Sequence, residues 1–244
     1  MEGPLIVEPV EWKEIHLQHL AWLLSAYEIN LVIDAGANLG QFALSLRSIG
    51  YAGRIISFEP VACIAKKLDR LASSDPGWTA IPYALGSHDS IASMNVSPGT
   101  GSSMLTPSEY GMNTFVDLRS WDIEAVPVRR LDSAVSHLVP ITNEVRMFLK
   151  MDTQGYDLEV FSGARAIMPQ IVALQSELPV LEIYENMPSM AEALAVYRHS
   201  GFHVTGAFPV TIEAQTGRVL EFDCVLARPE MVKRYHQTLP KIDP

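Results

Sequence analysis

Apolar runs of strand length alternate with amphipathic segments along most of the chain. Residues 31–35 form such a run, and a glycine-containing turn separates it from an amphipathic segment over residues 41–49. This pattern predicts a strand, a tight turn and a helix. Apolar runs over residues 54–58, 145–151 and 171–174 repeat this arrangement. Alternating strands and helices indicate an α/β fold built on a mostly parallel sheet.

The two ends of the pattern differ from its middle. Residues 11–29 carry apolar side chains at roughly helical spacing, which predicts a helix before the first strand. Residues 201–207 and 221–228 are β-like and flank a turn, so they predict a closing antiparallel hairpin. The predicted units are an N-terminal helical extension (1–30), an α/β domain (31–228) and a C-terminal tail (229–244).

Net charge and cysteine content indicate which binding partners and which cellular compartment to expect. The formal net charge is −10 and no block of Lys or Arg occurs, which argues against nucleic acid and anionic membranes as partners. Cys63 and Cys224 have no metal-ligand spacing, so we expect reduced thiols. No apolar run reaches the roughly 18–20 residues that span a bilayer, and no signal peptide is recognisable. These features predict a cytoplasmic protein that is not embedded in a membrane.

The turn after the first strand contains the first candidate binding residues. Asp34, Gly36, Asn38 and Gly40 follow one another at every second position. Glycine permits positive φ and close approach of a ligand, and the next helix presents unpaired N–H groups at its start. The G-x-G-x-x-G fingerprint of dinucleotide sites is incomplete here, because the third glycine is missing. A carboxylate at position 34 would repel a pyrophosphate and suits a cationic ligand, such as the methionine part of S-adenosylmethionine.

A second acid ends the next predicted strand. Glu59 lies 25 residues after Asp34, and Pro60 stops the strand directly behind it. In doubly wound folds an acid about 20 residues beyond the glycine turn binds the ribose hydroxyls. We therefore predict an adenosyl site. A short strand predicted over residues 78–83 runs into Ala84 and Leu85, which could flank an adenine ring there.

Two further acids follow later strands. Asp152 and Glu177 each come after an apolar run, and ligands of open α/β sheets bind outside the carboxyl ends of the strands. We therefore expect both acids to converge with Glu59. Asp152 is the first candidate for a general base, with Glu177 and His203 as the others. Two alternatives stay open: Asp152 as the N-cap of a helix, and strand-end carboxylates that hold Mg²⁺.

Five stretches together carry a resemblance to a known family. They are residues 32–40, 57–60, 84–86, 149–157 and 222–225. The chain resembles the FkbM family of S-adenosylmethionine-dependent methyltransferases over about residues 30–228, and its block Lys-Met-Asp-Thr-Gln-Gly is close to the family's Lys-Ile-Asp-x-x-Gly signature. It departs from the family pattern at Gln154 and at residues 157–159, where many members show Glu-Gly-Ala-Glu.

The resemblance implies a fold, a reaction and a partner. The implied fold is a class I, Rossmann-like, doubly wound seven-stranded sheet with one antiparallel strand. The implied reaction is O-methylation of a hydroxyl on a sugar, glycolipid or secondary metabolite, with carboxylate assistance from Asp152 or Glu177. The expected acceptor is a small molecule or a glycolipid, and a homo-oligomer stays open. The predicted residues for S-adenosyl-L-methionine are Asp34, Gly36, Asn38, Gly40, Glu59, Pro60, Ala84, Leu85 and Asp152.

Two other functions fit the same fold. One is an NAD-dependent dehydrogenase or epimerase, against which the missing glycine and the acid at position 34 both count. The other is a non-catalytic binding module that contacts a partner through residues 97–121. This polar stretch is rich in Gly, Ser and Thr, and it fits either an ordered lid over a ligand or a flexible loop.

Overall fold

Eight strands form the main sheet of the computed structural model, which describes residues 6–7 and 10–233. A smaller sheet of three strands lies beside it. In chain order the strands are β1 (Ile6–Val7), β2 (Leu31–Ala35), β3 (Arg54–Phe58), β4 (Trp78–Ile81), β5 (Ala84–Gly86), β6 (Ser90–Val96), β7 (Asp122–Arg130), β8 (Met147–Met151), β9 (Ile171–Pro179), β10 (His203–Glu213) and β11 (Arg218–Ala227). The helices are α1 (Val10–Ala26), α2 (Gln41–Ser48), α3 (Ala62–Ala72), α4 (Glu109–Thr114), α5 (Leu131–Leu138), α6 (Asp157–Ser162) and α7 (Met190–His199).

The main sheet has the strand order β1-β10-β11-β9-β8-β2-β3-β4. Strands β4, β3, β2, β8 and β9 are parallel, β11 is antiparallel to β9, and β10 is antiparallel to β11. The seven-stranded, mostly parallel sheet with one antiparallel strand is therefore confirmed. The two-residue strand β1 extends it by pairing antiparallel with β10, which the sequence pattern did not predict.

Layers of helices cover both faces of the sheet. The central strands β2 and β8 are buried at every position, as expected for strands covered on both sides. On one face, Leu20 of α1, Leu46 of α2 and Leu68 of α3 pack against the sheet. On the other face, Val135 of α5 and Tyr197 of α7 do so. Helix α1 thus forms part of the packed domain, although it precedes the first parallel strand. Within the described residues, no helix is long and apolar enough to cross a membrane.

The chain leaves the main sheet after Ile81, which corrects the single strand expected over residues 78–83. Pro82 has no N–H and cannot continue the ladder of hydrogen bonds. Ala84–Gly86 then pairs with β7 in the smaller sheet, of order β5-β7-β6. Residues 97–121 are mostly irregular but contain α4 and a 3₁₀ helix over Val116–Leu118. This stretch returns to the sheets through bridges from Ser103 to Asn95 and from Pro107 to Tyr184.

Candidate active site

A cavity of about 520 Å³ opens at the carboxyl ends of the parallel strands. This volume is typical of pockets for small ligands. Eight of the residues predicted from the sequence line the cavity: Gly36, Asn38, Glu59, Pro60, Ala84, Leu85, Asp152 and Glu177. Asp34 and Gly40 do not line it, and the exposed His203 at the start of β10 does not either. The strand ends therefore bring most of the predicted residues together, as the crevice rule requires.

The glycine turn is shaped by a close approach of two backbone segments. Gly36 has φ +75°, and a Cβ at this position would lie 2.0 Å from the carbonyl oxygen of Asp152. Only glycine fits this crossing. Gly40 has φ +84°, and its missing side chain makes room for Trp78 and Leu68. Glycine at this position therefore allows α2 to pack closely against Trp78 of β4 and Leu68 of α3.

Two backbone N–H groups hold the carboxylate of Glu59 in place. Its Oε2 accepts a hydrogen bond from Asn38 N at 2.9 Å, and its Oε1 accepts one from Val61 N at 2.8 Å. Burial raises the pKa of Glu59, and the two backbone hydrogen bonds partly oppose this shift. Each carboxylate oxygen still has a free lone pair. The side chain can therefore accept two further hydrogen bonds from a ligand in the cavity.

Asp34 belongs to a polar row beneath the cavity. Ser57, Asp34, Lys150 and Gln175 are neighbours in register across β3, β2, β8 and β9. Ser57 donates to Asp34 Oδ2 at 2.9 Å, and Lys150 Nζ lies 3.3 Å from Asp34 Oδ1. Asp34 is fully buried and already neutralised by Lys150. A direct contact of its carboxylate with a cationic ligand, as the sequence predicts, would compete with this ion pair.

Lys150 connects the buried row with the cavity. Its ammonium group lies 3.3 Å from Asp152 Oδ2 and donates to the carbonyl oxygen of Gly36 at 3.2 Å. Burial alone would lower the pKa of Lys150, but the carboxylates of Asp152, Asp34 and Asp223 outweigh it and raise this pKa. The lysine therefore stays charged and fixes one oxygen of Asp152 beside the glycine turn.

Asp152 and Glu177 form a bridged pair of carboxylates. The side-chain amide of Gln154 donates to Asp152 Oδ1 and to Glu177 Oε2, both at 2.8 Å. Burial and the nearby carboxylates, Asp152 foremost, raise the pKa of Glu177 well above its usual value. Asp152 does not cap the following helix, since α6 begins five residues later at Asp157. Within the described residues, no group of three or more His, Cys, Asp or Glu side chains is placed to hold a metal ion.

A second polar group in the cavity was missed by the sequence analysis. His16 of α1 contacts Gln175 Oε1 through Nε2 at 3.0 Å, and its Nδ1 lies 3.5 Å from Asp223 Oδ2. Burial lowers the pKa of His16 to about 4, so the imidazole is neutral at neutral pH. Burial, followed by the charge of Asp152, raises the pKa of Asp223 to about 7. The ring of His16 also stacks on Phe208 of β10 with 4.6 Å between centroids.

The charges of the lining favour a positively charged ligand. The lining includes the carboxyl groups of Glu59, Asp152, Glu177 and Asp223, against the cationic groups of Lys13 and Lys150. A cation in the cavity would stabilise the ionised forms of these carboxyl groups. S-adenosylmethionine carries a sulfonium and an ammonium group, and its ribose needs acceptors such as Glu59. The residues present therefore fit this cofactor.

Three solved structures are similar to this chain at low identity. Aeropyrum pernix fibrillarin with natively bound S-adenosyl-L-methionine is 12% identical with a TM-score of 0.48, covering 92% of this chain and 83% of that chain. Magnesium protoporphyrin IX methyltransferase (ChlM) from Synechocystis PCC 6803 with bound SAM is 11% identical with a TM-score of 0.43, covering 89% and 80%. The mitomycin 7-O-methyltransferase MmcR is 11% identical with a TM-score of 0.43, covering 88% of this chain and 54% of that chain. This chain thus spans about half the length of the mitomycin enzyme.

The sheet topology and the cavity at its carboxyl edge define a class I, Rossmann-like methyltransferase fold. A family model described as the methyltransferase FkbM domain matches residues 34–204, which is more than half of the chain. The chain belongs to the FkbM family of S-adenosylmethionine-dependent methyltransferases, and the resemblance found in the sequence is confirmed. A search of curated protein sequences returned no significant match.

Proposed function

We propose that this protein is an O-methyltransferase that uses S-adenosylmethionine to methylate a hydroxyl group of a small-molecule or glycolipid acceptor. The observation that carries the proposal is the bridged pair Asp152 and Glu177, which lies in the same cavity as Glu59. One end of the cavity thus offers acceptors for ribose hydroxyls, and another offers a carboxylate for the proton of an alcohol.

The cofactor would occupy the part of the cavity lined by the ends of β2, β3 and β5. Glu59 would accept the ribose hydroxyls, Ala84 and Leu85 would flank the adenine, and the turn at Gly36 and Asn38 would hold the methionine part. When bound, S-adenosylmethionine supplies a methyl group on a positively charged sulfur, which needs no further activation. Proximity and orientation of the acceptor hydroxyl can therefore provide most of the rate.

Glu177 is the proton acceptor in this proposal, and Asp152 assists it. The buried setting that raises the pKa of Glu177 also makes its ionised form more basic than an exposed carboxylate. One oxygen of Asp152 is already paired with Lys150. This ranking differs from the sequence-based expectation, in which Asp152 came first. The carboxylate of Glu177 would take the proton of the acceptor hydroxyl as the methyl group passes to its oxygen and S-adenosylhomocysteine is released.

The remaining part of the cavity would hold the acceptor. It is lined by α1, β10 and β11, which contribute the imidazole of His16, the ring of Phe208 and the carboxyl group of Asp223 respectively. A ring face beside hydrogen-bonding groups suits a ligand with both apolar and hydroxylated surfaces. These side chains would orient the acceptor so that one hydroxyl reaches Glu177.

The test uses radiolabelled S-adenosylmethionine with a panel of sugars, glycolipids and hydroxylated metabolites. For an acceptor that is methylated, Glu177→Gln should lower the transfer rate by about 10²–10⁴, the usual contribution of a positioned proton acceptor. Its affinity for S-adenosylhomocysteine should change little. If Glu177→Gln transfers at the wild-type rate while Asp152→Asn is slow, the base is Asp152. If NAD but not S-adenosylmethionine raises the melting temperature, the proposed function is wrong.

Metal dependence is tested in the same assay. The proposal needs no metal ion, so EDTA should leave the transfer rate unchanged. A rate that falls with EDTA and returns with Mg²⁺ would instead assign Asp152 and Glu177 to a metal site.

A further inference from the structure

Gln154 has an unusual backbone conformation in the turn after β8. Its φ is +53°, and that of the following Gly155 is +90°. The left-handed region is unfavourable for a residue with a side chain, and glutamine is not among those that adopt it readily. Such a conformation persists only where the surrounding structure holds it in place. The contacts of Gln154 show which groups do so.

The side-chain amide of Gln154 uses both of its protons on carboxylates. Nε2 donates to Asp152 Oδ1 and to Glu177 Oε2, while Oε1 lies 2.9 Å from the hydroxyl of Tyr184. The opposite orientation of the amide would place its oxygen against two carboxylates, so the network defines which atom is nitrogen. Without this amide, the two neighbouring carboxylates would lose the hydrogen-bond donor that they share.

Gln154 also contacts the segment that forms one wall of the cavity. We call residues 97–108 the wall segment, because its members Thr100, Ser102 and Met104 line the cavity. Ser103 of this segment is fully buried and donates its hydroxyl to the carbonyl oxygen of Gln154 at 2.7 Å. The backbone of Ser103 pairs in both directions with Asn95 of β6, at 2.8 and 3.0 Å. The wall segment and the turn at Gln154 are thus joined at a buried position.

Tyr184 forms a second connection between the same two parts. Its hydroxyl lies 2.9 Å from Gln154 Oε1 and 2.9 Å from the carbonyl oxygen of Gly101 in the wall segment. The side chain is 1% exposed and packs with Leu118 and Ile183. A hydroxyl has one proton, so it donates to one of the two oxygens at a time. Displacement of the wall segment would therefore change how firmly the amide of Gln154 is held.

We propose that Gln154 is a positioning residue that holds the carboxylates of Asp152 and Glu177 together and couples their arrangement to the wall segment. The inference rests on the proposed methyl transfer at this pair. In this inference Gln154 binds neither the cofactor nor the acceptor. The glutamine acts through the two carboxylates. The proton-accepting pair is in place only while the wall segment lies against the turn at Gln154.

The experiment compares Gln154→Met, Gln154→Glu and Tyr184→Phe with the wild type. Calorimetry measures the affinities for S-adenosylmethionine, a cation at sulfur, and for S-adenosylhomocysteine, which is neutral there, across the neutral pH range. The ratio of the two affinities reports the ionisation of the acids near the sulfur. Methionine has the length of glutamine but donates no hydrogen bond, so it removes both donors while keeping the shape. Gln215→Met, in the exposed turn between β10 and β11, is the matched control.

We expect the pH profile of the affinity ratio to shift upward by about one unit in Gln154→Met, since two hydrogen bonds to the charged forms are lost. Gln154→Glu should shift it further by adding a third carboxylate, and Tyr184→Phe should shift it less. The control Gln215→Met should not shift it. Amide hydrogen exchange in the wall segment should become faster in both Gln154→Met and Tyr184→Phe.

Two results would overturn the inference. A Gln154→Met protein with the wild-type pH profile shows that the amide does not act on the acids. A variant that weakens both ligands equally at every pH shows a merely structural role. If Gln154→Met does not fold, an unshifted profile in Tyr184→Phe has the same meaning. If the wild-type protein binds neither S-adenosylmethionine nor S-adenosylhomocysteine, the proposed function itself is wrong. This outcome is distinct from the results that overturn the role of Gln154.

Discussion

Replacement of Glu59 by alanine gives the most direct test of the cofactor assignment, because it requires no knowledge of the acceptor. Each carboxylate oxygen of Glu59 accepts one backbone N–H, from Asn38 or Val61, and has one lone pair left for a ribose hydroxyl. Hydrogen bonds to a charged group contribute about 1.5–3 kcal/mol. We therefore expect Glu59→Ala to weaken S-adenosylhomocysteine binding by roughly 10- to 100-fold, measured by calorimetry.

The same substitution also leaves two backbone donors without their acceptor, so part of any loss could arise from the turn. Glu124→Ala is a matched control, because Glu124 on β7 accepts the neighbouring N–H of Ala62 at 3.0 Å but does not line the cavity. It should leave the affinity within about twofold of the wild type, because it removes a backbone hydrogen bond of the same turn at a residue that does not line the cavity. An affinity within this range in Glu59→Ala itself would remove the ribose assignment.

Three further substitutions test the electrostatics and packing around the cavity. Gly36→Ala should abolish S-adenosylhomocysteine binding and lower the melting temperature, because its Cβ would lie 2.0 Å from a carbonyl oxygen. Gly50→Ala is the control: Gly50 has a similar φ of +86°, but a Cβ there would have nothing within 4 Å, so this variant should keep full binding. Lys150→Met leaves the carboxylate of Asp34 buried without its cation, and urea unfolding should show a loss of about 3–5 kcal/mol. The pKa of Asp223 is raised from 3.8 to about 7, so the folded state binds the extra proton and stability falls as pH rises through this window. Asp223→Asn should flatten that slope, and an unchanged slope would contradict the assignment.

The sequence predicted the strands of the main sheet well wherever burial on both faces leaves a continuous apolar run. Residues 54–58 coincide with β3, and the antiparallel hairpin at the end of the sheet follows from two β-like runs around a turn. The two-residue strand β1 has no such signal, because its pairing depends on the position of β10. Pro82 marked the end of β4, but the apolar run continued past it and hid the change of sheet.

Of the site residues, only those at the carboxyl ends of the parallel strands could be predicted from the sequence. Glu59, Asp152 and Glu177 converge because parallel strands deliver their carboxyl ends to one edge. Asp34 was expected there as well, yet it points beneath the cavity to Lys150. A signal was available, since a lysine inside an apolar run needs a buried carboxylate as its partner.

The sequence did not predict His16 and Asp223 as site residues, for a different reason. His16 is on α1, far from the strand ends in sequence, and its approach to Asp223 depends on how α1 packs on β10. No local pattern encodes such packing. Histidine among apolar residues of an amphipathic helix is compatible with many environments. The depressed pKa of His16 arises only from the burial that the complete fold creates.

The division of the cavity between chain segments has a consequence for how such enzymes can diversify. The family match covers residues 34–204, whereas α1 and nearly all of the β10–β11 hairpin lie outside it. These outer segments supply His16, Phe208 and Asp223, on the side proposed for the acceptor. A lineage could exchange them and acquire a new acceptor without altering the residues around Glu59. Exchanging α1 together with the β10–β11 hairpin between two family members should therefore transfer acceptor specificity. Exchanging only one of these two segments should not, because the surface that binds the acceptor is formed by both.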